Sequence, residues 1–179
     1  MMLRTAIVLA VFASVAYSAE PNEITITPHF SVEVGMGLGA AGEDLVLGSV
    51  MYWPDYANDG AVGVLVMGGD MTPEDDFAAG PVVEFPTGPI YDSLASTILP
   101  DPWAAALGNM TAAVRPYGRM SIMFDPDFDP IAVVGTGLRL FPNKHIQPAL
   151  HTDYIMPSNN SDLDGLEGWW TTVSISVLF

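Results

Sequence analysis

The sequence predicts an all-β fold, an eight-stranded antiparallel up-and-down transmembrane β-barrel. Apolar and polar residues alternate with a period of two over runs of about 10–12 residues, the length that a tilted strand needs to cross a bilayer. The chain ends on such a run, with Val173, Ile175, Val177 and Phe179 on one face. The 17 glycines and 15 prolines among 179 residues argue against a helical bundle.

Residues 1–18 have the features of a secretory signal peptide. Arg4 supplies a basic residue, residues 6–16 form an apolar core too short for a spanning helix, and Ala16 and Ser18 place small residues three and one positions before the cut. The sequence therefore predicts cleavage before Ala19 and a barrel domain over residues 19–179. An uncleaved N-terminal anchor is the alternative.

The clearest strands lie at the two ends of the predicted barrel. Residues 30–39 place apolar side chains on one face, namely Phe30, Val32, Val34, Met36 and Leu38. Small or polar residues occupy the other face, namely Ser31, Glu33, Gly35, Gly37 and Gly39. Residues 169–179 repeat the pattern, with Thr172, Ser174 and Ser176 opposite the apolar face. In each of these strands the alternation predicts that the apolar face contacts lipid and the other face lines the lumen.

The remaining strands differ in how regular they are. Three of them alternate clearly, at residues 115–124, 131–141 and 146–156. Two more, at residues 44–53 and 61–70, are mixed on both faces. An eighth at 80–87 is the weakest, because Pro81 and Pro86 cannot donate ladder hydrogen bonds and favour a short or irregular strand. The count of eight rests partly on the even strand number of bacterial barrels.

The connections predict an orientation. If both termini lie on the periplasmic side, the connections 40–43, 71–79, 125–130 and 157–168 face outward and hold ten of the 21 acidic residues. Residues 54–59, 142–144 and 88–110 then face inward. The last of these is long for an inward turn, and Asp101 followed by Pro102 predicts the start of a periplasmic helix there. The alternative is that the fourth strand is misplaced and that this connection faces outward.

The signal peptide, the alternating strands and the terminal Phe179 together resemble a bacterial outer-membrane β-barrel. Residues 132–154, with a turn at Pro142-Asn143-Lys144, are similar to the penultimate hairpin of small barrels of the OmpA, OmpX and OmpW type. The resemblance implies location in the bacterial outer membrane and contact with its lipids. It also implies folding by the barrel-assembly machinery, which would read the terminal strand through Val173, Ile175, Val177 and Phe179.

Six ionisable residues are predicted to form a lumen charge network: Glu33, Arg115, Arg119, Arg139, His151 and Asp153. An eight-stranded barrel is only wide enough for side chains to fill it, and an unpaired buried charge is costly. We therefore expect a salt-bridged plug. A charged constriction in a narrow pore for small solutes is the alternative, and catalysis is a third.

Asp125, Asp127 and Asp129 space three carboxylates two residues apart in one outer connection. Hard cations such as Ca²⁺ take several oxygen ligands from such loops, so a divalent-cation site that bridges to lipopolysaccharide phosphates is one hypothesis. A solvated acidic surface is the other. Pro130 in the sixth position excludes an EF-hand loop, which requires glycine there.

Two motifs that would indicate catalysis or a cofactor are incomplete. Some outer-membrane barrels are lipid A deacylases with a Ser/His/acid arrangement, but the residue two after His151 is Asp153 and not serine. Residues 37–42 fit GxGxxG, yet no helix pattern follows them. We expect no enzyme and no cofactor.

Composition excludes further classes of protein. The chain has five Lys and Arg against 21 Asp and Glu, a net charge of −16, which makes nucleic acid an unsuitable partner. Zero cysteines exclude disulfide scaffolds and thiolate metal sites. The sequence therefore predicts a small barrel with a structural or surface-interaction role and acidic outer loops. The rival is a soluble lipocalin-like periplasmic barrel, whose apolar face would point inward.

Overall fold

A computed structural model gives the fold of the chain. It describes residues 28–39, 44–55, 60–69, 77–88, 97, 100, 114–140, 145–158 and 167–179. The predicted signal peptide, the predicted helix start at Asp101 and most of the outer connections lie outside the described residues.

Eight strands form one closed antiparallel barrel in chain order, which confirms the predicted fold class. Their bounds are β1 Phe30–Gly39, β2 Asp44–Tyr52, β3 Ala61–Gly69, β4 Phe77–Pro86, β5 Val114–Phe124, β6 Pro130–Leu140, β7 Ile146–Pro157 and β8 Gly168–Leu178. β8 pairs with β1, so the barrel has no open edge. Closure matters because every strand then has hydrogen-bonding partners on both sides, as a barrel in lipid requires.

The pairing register sets the tilt of the strands. The stagger of the barrel is the number of residues by which the pairing shifts in one circuit. A path through paired residues that starts at Phe30 on β1 reaches Trp169 on β8 and returns to β1 about ten residues further along. For eight strands this stagger corresponds to a tilt of ~40° from the barrel axis. None of the helical segments among the described residues is long and apolar enough to span a membrane.

Strand β4 is longer than the sequence predicted. It begins at Phe77 instead of Gly80 and runs for ten residues. Pro81 pairs with Val64 on β3, whereas the pairing with β5 is interrupted between Ala79 and Val82. The Ser121 hydroxyl donates to the Pro81 carbonyl at 2.8 Å across this interruption. This side-chain bond lets the strand continue past a residue that has no N–H.

Two glycines on neighbouring strands differ in the space beside them. Gly35 on β1 faces the lumen opposite Ser174 of β8, and a Cβ there would lie 2.7 Å from the Ser174 Cβ. Gly48 on β2 faces outward, and a Cβ there would meet only the Glu33 carbonyl oxygen at 3.7 Å. Close approach of β1 and β8 therefore requires glycine at position 35.

We expect Gly35→Ala to destabilise the barrel by about 1–3 kcal/mol, the usual cost of overpacking. Gly48→Ala is the matched control and should change stability by less than about 0.5 kcal/mol, as exposed sites usually do. Urea unfolding of both variants in detergent measures the difference. Equal midpoints for the two variants would show that the β1–β8 seam tolerates a side chain at position 35.

Candidate functional site

The barrel lumen holds the predicted charged residues. We call the end that carries Pro28 and Phe179 the terminal end, and the end that carries the β1–β2, β3–β4, β5–β6 and β7–β8 connections the loop end. Among the six residues predicted for the lumen, five are almost completely buried inside the barrel: Glu33, Arg119, Arg139, His151 and Asp153. Arg115, on the same face of β5, is only half-buried because it lies at the terminal end.

Arg119 and Asp153 form a bidentate ion pair between β5 and β7. Arg119 Nε donates to Asp153 Oδ1 at 2.8 Å, and Arg119 Nη2 donates to Oδ2. Two parallel N–H···O bonds fix the orientation of both groups as well as their distance. Gly135 of β6 lies beside Asp153, where any Cβ would collide with the carboxylate, so this glycine makes room for the pair.

Arg139 on β6 binds two carboxylates. Its Nη2 donates to Glu84 Oε2 at 2.8 Å and to Glu33 Oε2 at 3.0 Å, and its Nη1 donates to Glu84 Oε1. Glu84 was not among the residues predicted for the lumen. The alternation of Val83 and Phe85 with Glu84 could have revealed it, but the two prolines of β4 had made that strand the least certain.

Glu33 on β1 contacts side chains from four other strands, β5, β6, β7 and β8. Besides Arg139, it accepts a hydrogen bond from Ser174 Oγ at 2.7 Å and lies 4.0 Å from Arg119 Nη1. His151 Nε2 lies 3.4 Å from Glu33 Oε1, and His151 Nδ1 lies 3.0 Å from Asp153 Oδ2. The structure therefore brings together an ion-pair layer, which consists of Glu33, Glu84, Arg119, Arg139, His151 and Asp153.

Trp53 lies inside the lumen, on the terminal side of the ion-pair layer. Its indole is buried, donates from Nε1 to Ser31 Oγ at 2.9 Å, and lies 5.2 Å from the Arg139 guanidinium and 5.1 Å from that of Arg115. Such cation–π contacts stabilise a guanidinium without a further carboxylate. Trp170 also points into the barrel, so neither tryptophan belongs to an outer aromatic belt.

The lumen is apolar toward the loop end. Here the inward side chains are buried and form an apolar layer: Leu45, Leu47, Leu65, Met67, Ala78, Val82, Met123, Ile131, Val133, Ile155 and Trp170. The small and polar inner faces that the sequence shows for residues 30–39 and 169–179 therefore do not represent the lumen at this end. β2 and β3 looked mixed in sequence because both of their faces are apolar at this level.

In the β5–β6 turn the carboxylate of Asp125 binds the backbone of its own loop. Asp125 Oδ1 accepts hydrogen bonds from the backbone N–H groups of Asp127 at 3.1 Å and Asp129 at 2.8 Å. Within the described ranges, no group of three or more His, Cys, Asp or Glu side chains is arranged to hold a metal ion. Asp125 therefore stabilises the turn, which leaves Phe128 exposed at its tip with a φ of 65°.

The outer surface of the strands is apolar between two belts of aromatic residues. Near the terminal end these are Phe30, Tyr52, Phe85 and Phe179, and near the loop end Phe77, Phe124, Tyr154 and Trp169. Phe77 and Phe85 lie eight residues apart on β4, which corresponds to ~20 Å along the barrel axis. Val, Leu, Ile and Met dominate the surface between the belts, interrupted by Thr136, Thr152 and Thr171.

The terminal strand also follows this pattern. Val173, Ile175, Val177 and Phe179 face outward, and Thr172, Ser174 and Ser176 are buried inside. The Phe179 backbone is held by β1: its N–H donates to the Phe30 carbonyl at 3.0 Å, and its carbonyl accepts from the N–H groups of His29 and Phe30. The residues predicted as an assembly signal thus lie on the outer side of the closing strand.

Comparison with solved structures finds similar barrels. The chain is similar to the N-terminal β-barrel domain of Pseudomonas aeruginosa OprF, with a TM-score of 0.58 and 12% identity over 86% of this chain and 100% of that domain. It is also similar to the de novo designed barrel TMB2.3, with a TM-score of 0.52, 12% identity and coverage of 87% and 97%. Another designed transmembrane β-barrel gives a TM-score of 0.52, 11% identity and coverage of 86% and 98%.

At these identities the likeness shows the fold alone. No protein-family model matches the sequence, and no curated protein matches it either. The resemblance to the OmpA, OmpX and OmpW type therefore stays a prediction at the level of the family.

Proposed function

We propose that this protein is a bacterial outer-membrane barrel that spans the lipid bilayer, is closed to solutes, and has a structural or surface-interaction role without catalysis. The outer surface carries this proposal. It is apolar over ~20 Å between two aromatic belts, close to the apolar band and girdles that membrane barrels place against lipid. A soluble lipocalin-like barrel would need polar side chains on that surface.

The filled lumen supports a closed barrel over a narrow pore. Trp53 lies across the terminal end, the ion-pair layer above it has little exposed surface, and the apolar layer fills the rest. A conducting path would need a continuous column of water, and these side chains occupy its place.

The surface-interaction part of the proposal rests on acidic residues at the loop end. Asp127, Asp129 and Glu167 lie there among the described residues, and this end lies opposite the one that carries Pro28 and Phe179. The proposal places this end on the cell exterior, where the acidic groups would face divalent cations or cationic partners.

Fractionation of cells that express the chain tests the location. We expect the protein in the outer-membrane fraction, with a band whose migration in SDS gels changes on boiling, because closed barrels resist detergent until heated. A control sample denatured in urea before loading should run only at the unfolded position. Recovery of the protein entirely in the soluble periplasmic fraction would refute the proposal.

A further inference from the structure

We propose that the apolar layer, and not the ion-pair layer, is the barrier that prevents ions from crossing the barrel. This inference rests on the proposed function of a closed membrane barrel and adds which of the two layers closes it. The alternative is that the ion pairs close the lumen and the apolar side chains only fill the space above them.

The register separates the two layers along the barrel axis. On β7 the inward residues run from His151 and Asp153 to Ile155, toward the loop end. On β6 they run from Arg139 past two glycines to Val133 and Ile131. On β2 they run from Ser49 to Leu47 and Leu45. Any path between the two ends must therefore cross the apolar layer after the ion-pair layer.

The two layers differ in what they offer an ion. The ion-pair layer contains carboxylates, guanidinium groups and hydroxyls, which can replace water around an ion when a pair rearranges. The apolar layer offers no polar side chain, and its members on opposite sides of the lumen, such as Leu65 and Val133, are completely buried. An ion in such a hydrophobic constriction loses its hydration without compensation, which is how dewetted constrictions block conduction.

A triple variant tests the barrier with little change in shape. Leu65→Thr, Val133→Thr and Ile155→Thr place hydroxyls on three strands of the apolar layer, and threonine is a β-branched, strand-forming residue at each position. The matched control places threonine at the three outward neighbours, with Val64→Thr, Val134→Thr and Met156→Thr. A third variant, Glu84→Gln with Arg139→Gln, removes a pair from the ion-pair layer and leaves the apolar layer intact.

Ion conductance of each full-length, refolded protein is measured in planar lipid bilayers in potassium chloride, after boiled and unboiled gel samples confirm folding. We expect baseline current for the wild type, the outward control and the Glu84→Gln/Arg139→Gln variant. The triple variant of the apolar layer should show conductance steps at least tenfold above that baseline.

Conductance in the Glu84→Gln/Arg139→Gln variant together with a silent triple variant would overturn the inference. If the triple variant does not fold, Val133→Thr is measured alone, since it exchanges only a methyl for a hydroxyl, and baseline current from this folded variant also counts against the inference. Stable steps from the wild type would instead refute the closed barrel of the proposed function, so the two failures are distinguishable.

Discussion

Arg139→Met is expected to lower the free energy of unfolding by about 3–5 kcal/mol, the cost of removing one partner from a buried ion pair. Arg139 binds the Glu84 carboxylate through both of its terminal nitrogens, and its Nη2 also donates to Glu33. Methionine keeps an unbranched apolar stem but carries no charge, so both carboxylates lose this cation. Urea titration in detergent micelles, followed by the heat-dependent gel shift, measures the loss.

Two further variants show whether the loss comes from unpaired charge. The double variant Glu84→Met/Arg139→Met removes both partners and should recover most of the stability, because apolar replacement of a buried pair is often close to neutral. Arg115 also points into the lumen, from β5, but it is half-buried at the terminal end, so Arg115→Met should cost less than Arg139→Met. Equal losses for Arg139→Met and Arg115→Met would show that burial of the ion-pair layer does not govern its energetics.

Val34→Lys is expected to destabilise the barrel in a bilayer by about 2–4 kcal/mol, the cost of a lysine on the lipid face near the bilayer midplane. Val34 points outward in the middle of β1, with 60% of its surface exposed. A site as exposed as this in a water-soluble barrel would accept lysine at a cost within about 0.5 kcal/mol. Refolding and unfolding titrations in lipid vesicles measure the difference.

Tyr52→Lys is the control for depth in the membrane. Tyr52 also points outward but lies at the end of β2 in the aromatic belt of the terminal end, where a lysine should cost only about 0–1 kcal/mol. Val34→Ile controls for the loss of the native side chain itself. A negligible effect of Val34→Lys in vesicles would contradict a membrane-spanning barrel.

Most of the fold could be predicted because a strand between lipid and lumen has residues that alternate between apolar and polar. β1, β5, β6, β7 and β8 each separate a lumen face from an apolar outer face, so alternation placed them within one residue at either end. β2 and β3 were also placed within one residue at either end, although Leu45, Leu47, Leu65 and Met67 make their inner faces apolar as well and obscure the alternation. The predicted start of β4 was three residues too late, because Pro81 argues against a strand at that point. In the structure Ser121 Oγ donates to the Pro81 carbonyl, and the strand runs on from Phe77 to Pro86.

The ion-pair layer was accessible from sequence only one strand at a time. Alternation assigns Glu33, Arg119, Arg139, His151 and Asp153 to inward faces, but it carries no information on which of them meet. Glu33 and Arg139 are 106 residues apart and come within 3.0 Å only because the barrel closes with its particular stagger. Which carboxylates Arg139 binds therefore depends on the pairing register of all the strands, and a local sequence pattern does not contain that register.

The sequence by itself determined that this protein is an antiparallel barrel whose most regular strands have one apolar face and one small or polar face, because period-two alternation is a local property of the chain. Only the tertiary structure decided what fills the lumen. Strand stagger stacks Glu84 with Arg139 and Glu33 at one level, and Leu65 with Val133 and Ile155 nearer the loop end, and such stacking is set by closure of all eight strands together. Alternation reports only that a side chain points inward, and the level at which it meets the others follows from the geometry of the closed sheet.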